Sequence, residues 1–233
     1  MIHRVGTDNE ARRESWLEQA LKQLPSGSRL LDAGAGELKF RKFCSHLEYV
    51  SQDFARYEGT GDGTGLQVNS WDQTRLDIVS DITSIPEPDG SFDAIMCIEV
   101  FEHLPEPLLA LKEFARLLKT GGQLIITAPF CSLTHFSPFH FYTGFSRNFY
   151  FTHLPAFSYE IVELQENGNF FEFLGQEIRR VPSVAERYAG RRSGLWAHGV
   201  FYLVLRILAK YSRNDRGSSE MLHFGCFVRA VKR

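Results

Sequence analysis

The stretch Arg29-Leu30-Leu31-Asp32-Ala33-Gly34-Ala35-Gly36 decides the fold. A short apolar run leads into a Gly-x-Gly loop, a pattern typical of a parallel strand that turns sharply at the ligand-binding mouth of an α/β sheet. The dinucleotide fingerprint GxGxxG requires a third glycine at position 39, which is Lys39. No GxxxxGK[ST] phosphate loop is present either. The loop therefore disfavours a nicotinamide-dependent dehydrogenase and indicates a ligand without a pyrophosphate.

Helical and strand patterns alternate on either side of this loop. They predict an α/β fold with a doubly wound, mostly parallel sheet and a late antiparallel strand. The predicted strands cover 29–32, 49–53, 76–80, 92–100, 124–128, 159–164 and 224–231. The predicted helices cover 10–24, 38–47 and 105–118, with further helical material before the last strand.

The length of 233 residues predicts one domain, 1–233. Within it we expect a ligand-binding core at 28–130, an insertion with helices at 131–223 and a final strand at 224–233. Residues 131–157 are rich in Phe, His, Pro and Ser, and an irregular segment of this length is typical of a functional loop. We therefore interpret 131–223 as an inserted helical and aromatic cap that faces a substrate.

Composition excludes several classes of protein. With 43% hydrophobic and 23% charged residues, the chain can bury a core of ordinary size, so disorder is excluded. The net charge of −2 gives no surplus to neutralise phosphates, so we expect no nucleic-acid partner. The four cysteines form no CxxC pair, and Met1–Gly6 contains no apolar signal region, so we expect reduced thiols and a cytoplasmic location.

Three carboxylates are expected at one edge of the predicted sheet. Asp53 ends the second strand, 19 residues beyond Gly34, where an acid can accept the hydroxyls of a ribose. Asp32 and Asp81 close the first and third strands. Because neighbouring carboxylates repel each other, a ligand that carries a cation, a ribose and an amine is favoured.

These motifs together resemble the class I S-adenosylmethionine-dependent methyltransferases, of the type 11-like small-molecule group. The matching residues span about 28–130: Leu30–Gly36, Asp53, Asp81-Ile82, Ser91–Ile95, Glu99–Leu104 and Leu117–Gly122. The resemblance implies the Rossmann-like methyltransferase fold. It also implies S-adenosylmethionine as methyl donor and S-adenosylhomocysteine as product.

The same resemblance implies which residues bind the donor. Gly34 and Gly36 would pack against its methionine part, and Asp53 would bind the ribose. Asp81 and Ile82 would read the adenine. The full predicted cofactor site is Asp32, Gly34, Gly36, Asp53, Phe54, Asp81, Ile82 and Ile98. The glycine-rich run 59–65 is longer than the family pattern, and the sequence assigns it no role.

Histidines are the candidate catalytic residues, because a hydroxyl acceptor needs a base near neutral pH. His135 and His140 follow the fifth strand, and His103 follows the fourth. We predict that His135 or His140 faces the acceptor. The alternative is that each packs as an ordinary hydrogen-bonded histidine in an aromatic cluster.

The motif Glu99-x-x-Glu102-His103 also resembles the metal-assisted small-RNA 3′-terminal methyltransferases, with His135 or His140 as a further ligand. Similar stretches occur in metal-free small-molecule methyltransferases. We predict a site without metal.

The segment 195–209 is the most apolar long stretch, but its 15 residues are too few to span a bilayer. Either it is a core helix, or it is an interfacial helix whose basic flanks make weak peripheral contact with a membrane.

The sequence thus predicts a methyltransferase that modifies a small-molecule or glycan-type acceptor, at oxygen. The alternatives are a metal-assisted RNA methyltransferase and a non-catalytic adenosyl-binding domain. The acceptor, the methylated atom and the oligomeric state remain open.

Overall fold

The computed structural model describes residues 4–233. The expectation that Met1–Gly6 contains no signal region concerns residues 1–3 in part, and these lie outside the described residues. The helices are α1 (Asn9–Lys22), α2 (Pro107–Leu117), α3 (Arg147–Ala156), α4 (Phe170–Ala189) and α5 (Leu195–Arg213). The strands are β1 (Arg29–Ala33), β2 (Glu48–Asp53), β3 (Ile78–Val79), β4 (Phe92–Ile98), β5 (Leu118–Pro129), β6 (Tyr159–Asn167) and β7 (Gly225–Lys232).

The strands form one seven-stranded sheet in the order β3-β2-β1-β4-β5-β7-β6. The pairs β2–β3, β1–β2, β1–β4 and β4–β5 are parallel, whereas β5 and β7 are antiparallel. The predicted fold class, a doubly wound, mostly parallel sheet with a late antiparallel strand, is confirmed.

Helices cover both faces of the central strands. Alternate residues of a strand point to opposite faces, so a strand that is covered on both sides must be apolar throughout. In β4, Ala94 and Met96 belong to the core that contains Leu17 and Leu21 of α1. Ile95 and Cys97 belong to the core that contains α2 and α3.

Several predicted element boundaries are wrong. The predicted helix 38–47 is a single 3₁₀ turn, Arg41–Phe43, because Leu38 has a φ of 63°, which no α-helix accommodates. The third strand is only Ile78–Val79. The fifth begins at Leu118, directly after α2, six residues before the predicted start at 124. The segment 131–157 is not irregular throughout, because it contains α3.

The described chain divides into two compact units. One contains residues 15–165 and 225–233, with most of the sheet, the larger part of α1, and all of α2 and α3. The other contains residues 4–14 and 166–224, with α4 and α5. The prediction that 1–233 forms a single domain stays a prediction.

In the second unit, Val5 packs with Leu205, Leu208 and Ala209 of α5. The Asn169 side chain caps α4 by accepting a 3.0 Å hydrogen bond from the amide of Glu172.

None of the helices within residues 4–233 has the length and apolar character that a membrane-spanning helix requires.

Candidate active site

The Gly-x-Gly loop after β1 is fastened to the end of β2. The amides of Gly34 and Ala35 both donate to the carbonyl oxygen of Gln52, over 2.8 and 2.9 Å. The amide of Gly36 donates to Oδ2 of Asp53 over 3.0 Å. The glycine loop and Asp53 are therefore one hydrogen-bonded unit.

Neither glycine of this loop can be replaced without strain. Gly34 and Gly36 have φ angles of +82° and +51°, in the region that side chains rarely adopt. A Cβ on Gly34 would lie 2.5 Å from Val100, and a Cβ on Gly36 would lie 2.5 Å from the ring of Trp71. The close approach of these neighbours explains why glycine stands at both positions.

Asp53 is buried at the carboxyl end of β2. Its Oδ1 accepts hydrogen bonds from the amide of Ala55 (3.1 Å) and the side-chain amide of Gln73 (3.0 Å). Burial raises the pKa of Asp53, and the hydrogen bonds from Ala55, Gly36 and Gln73 oppose that rise. These bonds hold the carboxylate in a fixed orientation at the carboxyl end of β2.

Asp32 and Asp81 differ from the predicted arrangement of three carboxylates at one edge. Asp32 is buried within β1, where the Tyr49 hydroxyl donates a 2.5 Å hydrogen bond to its Oδ2. Burial raises the pKa of Asp32 to about 7, the Tyr49 hydrogen bond opposes this, and the charge of Asp53 adds to it. Asp81 lies two residues beyond β3 and accepts hydrogen bonds from Thr83, which lower its pKa. Tyr49 therefore supplies some of the compensation that we expected from a ligand.

The remaining predicted cofactor residues lie in three settings. Ile98 is the buried last residue of β4, just before Val100, which packs on Gly34. Ile82 is buried in the core that contains α2. The Phe54 ring meets the ring of Phe139 edge to face, with 4.9 Å between centroids.

Two residues beside the glycine loop were not predicted. Trp71 lies against Gly36, and Gln73 bonds to Asp53. Both come from the chain that follows the glycine-rich run 59–65, and the amide of Asp72 between them donates to Glu37 over 3.1 Å. In the sequence, they are marked only as an aromatic and an amide side chain in the long loop that follows Asp53.

The structure brings together the three predicted catalytic histidines. The ring centroids of His103 and His135 are 4.6 Å apart, those of His135 and His140 4.9 Å, and those of His103 and His140 6.2 Å. Phe136 packs against this group, with its ring stacked on His103 at 5.2 Å. The three imidazoles form a cluster beside Phe139, and we call it the imidazole cluster.

Hydrogen bonds fix the tautomers of two of these rings. Nδ1 of His103 lies 2.6 Å from the carbonyl oxygen of Phe139, and Nδ1 of His135 lies 2.8 Å from that of Leu133. A carbonyl oxygen only accepts, so both Nδ1 atoms carry the proton. In a neutral ring the lone pair then resides on Nε2. Burial, followed by the charge of His135, lowers the pKa of His103 to about 3.

His140 has the opposite arrangement. Its Nε2 lies 3.1 Å from Oγ of Ser132, whose own proton is donated to the carbonyl oxygen of Thr143 over 3.0 Å. Ser132 must therefore accept from Nε2, which leaves the lone pair of His140 on Nδ1. Burial, and then the charge of His135, lowers the pKa of His140, which favours the neutral ring.

Glu102 lies beneath the imidazole cluster. It belongs to the 3₁₀ turn Phe101–His103, and its side chain is 1% exposed. Its Oε1 is 3.7 Å from Nε2 of His103 and 3.8 Å from Nε2 of His135. Glu99 takes a separate partner, since Oγ1 of Thr127 donates to it over 2.9 Å.

A family model described as a methyltransferase domain matches residues 6–168, about two thirds of the chain. The chain belongs to the methyltransferase domain family. The predicted resemblance to class I S-adenosylmethionine-dependent methyltransferases (EC 2.1.1) is therefore confirmed, and with it S-adenosylmethionine as the methyl donor of the class.

Among curated proteins, a ubiquinone biosynthesis O-methyltransferase of Xanthomonas oryzae pv. oryzae is 32% identical over 105 residues. The match covers 44% of this chain and 43% of that relative, so it spans less than half of the relative's length.

Solved methyltransferase structures share the fold over nearly the whole chain. A putative sarcosine dimethylglycine methyltransferase from Galdieria sulphuraria has a TM-score of 0.58 at 16% identity, covering 95% of this chain and 86% of its own. Phosphoethanolamine N-methyltransferase 2 of Haemonchus contortus, in complex with S-adenosyl-L-methionine, has a TM-score of 0.55 at 16% identity, covering 95% and 52%. At this identity the likeness concerns the fold alone.

Proposed function

We propose that this methyltransferase transfers the methyl group of S-adenosylmethionine to a hydroxyl oxygen of a small-molecule or glycan-type acceptor. One contact carries the proposal. Phe54, which directly follows the acid at the end of β2, packs on Phe139, the neighbour of His140. That contact joins the donor-binding edge of the sheet to the imidazole cluster, where a base for an oxygen acceptor would act.

The glycine loop and Asp53 fit the donor. The turn at Gly34–Gly36 is hydrogen-bonded to Asp53 at the end of β2, where an acid suits the hydroxyls of a ribose. We propose that Asp32, Phe54, Asp81, Ile82 and Ile98 complete this site. The bound donor supplies an activated methyl sulfonium, so the main task of these residues is alignment, which contributes roughly 7–11 kcal/mol in favourable cases.

Among the predicted catalytic histidines, His140 is the best candidate for the base. Its Nδ1 carries a lone pair, whereas the lone pair of His103 is on Nε2, which faces Glu102. In the proposed step the acceptor oxygen forms a bond to the methyl carbon as the carbon–sulfur bond breaks. The hydroxyl proton passes to Nδ1 of His140, and S-adenosylhomocysteine is the product.

Oxygen as the methylated atom is supported by the printed name of the curated relative, an O-methyltransferase. A nucleic-acid acceptor is disfavoured by the net charge of −2. The four free cysteines, Cys44, Cys97, Cys131 and Cys226, support the proposed cytoplasmic location, where thiols stay reduced. A non-catalytic adenosyl-binding domain is the competing function, and only turnover separates the two.

The test is His140→Gln, with His153→Gln as control because His153 packs on Phe149 of α3. Both variants should bind S-adenosylhomocysteine as the wild type does. Methyl transfer to a panel of hydroxyl-bearing small molecules and glycans should fall about 10²- to 10⁴-fold in His140→Gln alone, mainly in kcat. Equal turnover in both variants would refute the assignment of His140 as the base. If the wild type binds the donor but methylates no member of the panel, the competing function, a non-catalytic adenosyl-binding domain, would be favoured.

We also propose weak peripheral contact of 195–209 with an anionic membrane. Leu195 and Trp196, at the start of α5, are 92% and 83% exposed, although Leu205 and Leu208 of the same helix are buried. Arg191 and Arg192 immediately precede them and are exposed. Large apolar side chains beside cations suit the boundary between lipid headgroups and acyl chains.

A further inference from the structure

Three acceptor atoms converge in the imidazole cluster. They are Oε1 of Glu102 and the Nε2 atoms of His103 and His135, and all of them lie within 4.8 Å of one another. Nε2 of His103 is buried and has no hydrogen-bond partner among residues 4–233. Two acceptor atoms this close repel each other unless a cation, either a proton or a metal ion, lies between them.

The tautomers of His103 and His135 leave an unprotonated Nε2 atom on each ring. Both imidazoles donate their Nδ1 protons to backbone carbonyl oxygens, those of Phe139 and Leu133. Metal-binding histidines are typically held in this way, with one ring nitrogen donating to a carbonyl group and the other binding the ion. The same arrangement at both His103 and His135 places two unprotonated Nε2 atoms 3.7 and 3.8 Å from Oε1 of Glu102.

The distances are compatible with a shared ion. Metal–ligand bonds to imidazole and carboxylate are about 2.0–2.2 Å, so two ligand atoms on one ion are at most about 4.4 Å apart. The two distances from Glu102, 3.7 and 3.8 Å, already meet that limit. The third pair, His103 and His135, needs to close by only a few tenths of an ångström.

The backbone supports the three side chains. Glu102 and His103 are consecutive in the 3₁₀ turn after β4, which fixes their relative orientation. The carbonyl oxygen of Glu102 accepts from the amides of Phe141 and Tyr142, over 2.9 and 3.2 Å. These bonds tie the turn to the same segment, 131–142, that carries His135.

We propose that Glu102, His103 and His135 bind one divalent transition-metal ion. One carboxylate and two imidazoles suit ions such as Mn²⁺, Co²⁺ and Zn²⁺, and three protein ligands leave coordination positions open. This proposal differs from our expectation of a metal-free site. A second part rests on the proposed function: an open position would bind the acceptor hydroxyl, make it more acidic and so ease proton removal by His140.

The test uses Co²⁺ as a spectroscopic probe on the full chain, purified with a chelator and free of any polyhistidine tag. We expect one Co²⁺ per chain, with visible absorption bands of nitrogen and oxygen ligation. Glu102→Gln and His135→Gln should weaken binding at least roughly 100-fold, because even partners outside the first coordination sphere cost 10–100-fold. The control His153→Gln should bind as the wild type does.

S-adenosylhomocysteine binding, measured on the same samples, shows that each variant is folded. His135→Gln keeps the test decisive if the buried Glu102→Gln does not fold, because the His135 side chain is 23% exposed. Wild-type Co²⁺ affinity no greater than that of folded His135→Gln would overturn the metal site. A wild-type protein that binds the donor and turns over but does not bind Co²⁺ refutes only this inference, whereas a wild-type protein that binds Co²⁺ but not the donor refutes only the proposed function.

Discussion

The amide of Gly36 donates a 3.0 Å hydrogen bond to Oδ2 of Asp53, so the glycine turn after β1 and the end of β2 hold each other in position. The two residues lie 17 positions apart in sequence, Gly36 in the loop after β1 and Asp53 at the end of the neighbouring strand β2. Replacement of the Asp53 carboxylate is therefore expected to disturb both the proposed ribose contact and the glycine turn.

Asp53→Asn should weaken S-adenosylhomocysteine binding at least tenfold in calorimetric titration. The variant keeps the size of the side chain but loses its charge, and hydrogen bonds to charged groups contribute about 1.5–3 kcal/mol. The control is Asp93→Asn, because Asp93 lies near the opposite end of its strand, where it pairs with Lys119. Equal affinities for the two variants would exclude Asp53 as the ribose ligand.

Gly36→Ala should lower both the free energy of unfolding and the affinity for S-adenosylhomocysteine, because its Cβ would collide with the Trp71 ring. The matched control is Gly63→Ala. Gly63 also has a positive φ, +76°, but a Cβ added there would meet no side chain or more distant backbone of residues 4–233 within 4 Å. The control variant therefore bears only the backbone cost of about 1–2 kcal/mol.

Adding Trp71→Ala to Gly36→Ala should restore part of the lost binding, whereas adding it to Gly63→Ala should not. Chemical denaturation and calorimetry measure both effects. If Gly36→Ala and Gly63→Ala lose stability equally, then the Trp71 contact does not explain the glycine at position 36.

Asp32→Asn should stabilise the protein increasingly as pH rises from 5 to 8. The folded-state pKa of Asp32 is raised to about 7 from 3.8, so ionisation opposes folding between about pH 4 and 7, and the neutral variant avoids this cost. At 1.36 kcal/mol per pH unit, the advantage of the variant should grow by about 2–3 kcal/mol over this range. Urea denaturation at both pH values measures it.

Asp81→Asn is the control for this pH series. Hydrogen bonds from Thr83 lower the pKa of Asp81, so its replacement should bring no gain as pH rises. An advantage of Asp32→Asn that does not change with pH would mean that Asp32 titrates normally in the folded protein.

Trp196→Ser should reduce co-sedimentation with anionic phosphatidylglycerol vesicles at low salt by roughly tenfold in partition coefficient. Burying a large apolar side chain contributes about 1.5–3 kcal/mol, and the exposed indole ring is expected to enter the interface. The control Val79→Ser removes another exposed apolar side chain, on β3, and should bind as the wild type does. Wild-type protein that stays in the supernatant would contradict the membrane contact.

Much of the sheet could be predicted because its strands are locally encoded. Residues 94–98 of β4 are continuously apolar, as a strand covered on both faces must be, and the glycines after β1 mark the turn by their lack of side chains. The helix predicted at 38–47 failed because the apolar spacing does not reveal that Leu38 adopts a left-handed conformation. The predicted length of the third strand, 76–80, was wrong for a related reason, because the length of an edge strand depends on the strand that it pairs with.

The sequence by itself determined the α/β class, the Gly-x-Gly turn and the acid at the end of β2, because each depends on residues that are close together along the chain. Only the tertiary structure decided that Tyr49 bonds to Asp32, that Trp71 packs on Gly36, and that two Nε2 lone pairs face the carboxylate of Glu102. These relationships depend on which carbonyl oxygen each ring nitrogen meets and on which side chains are excluded from water. Both are set by contacts between segments distant in sequence, so local pattern cannot encode them.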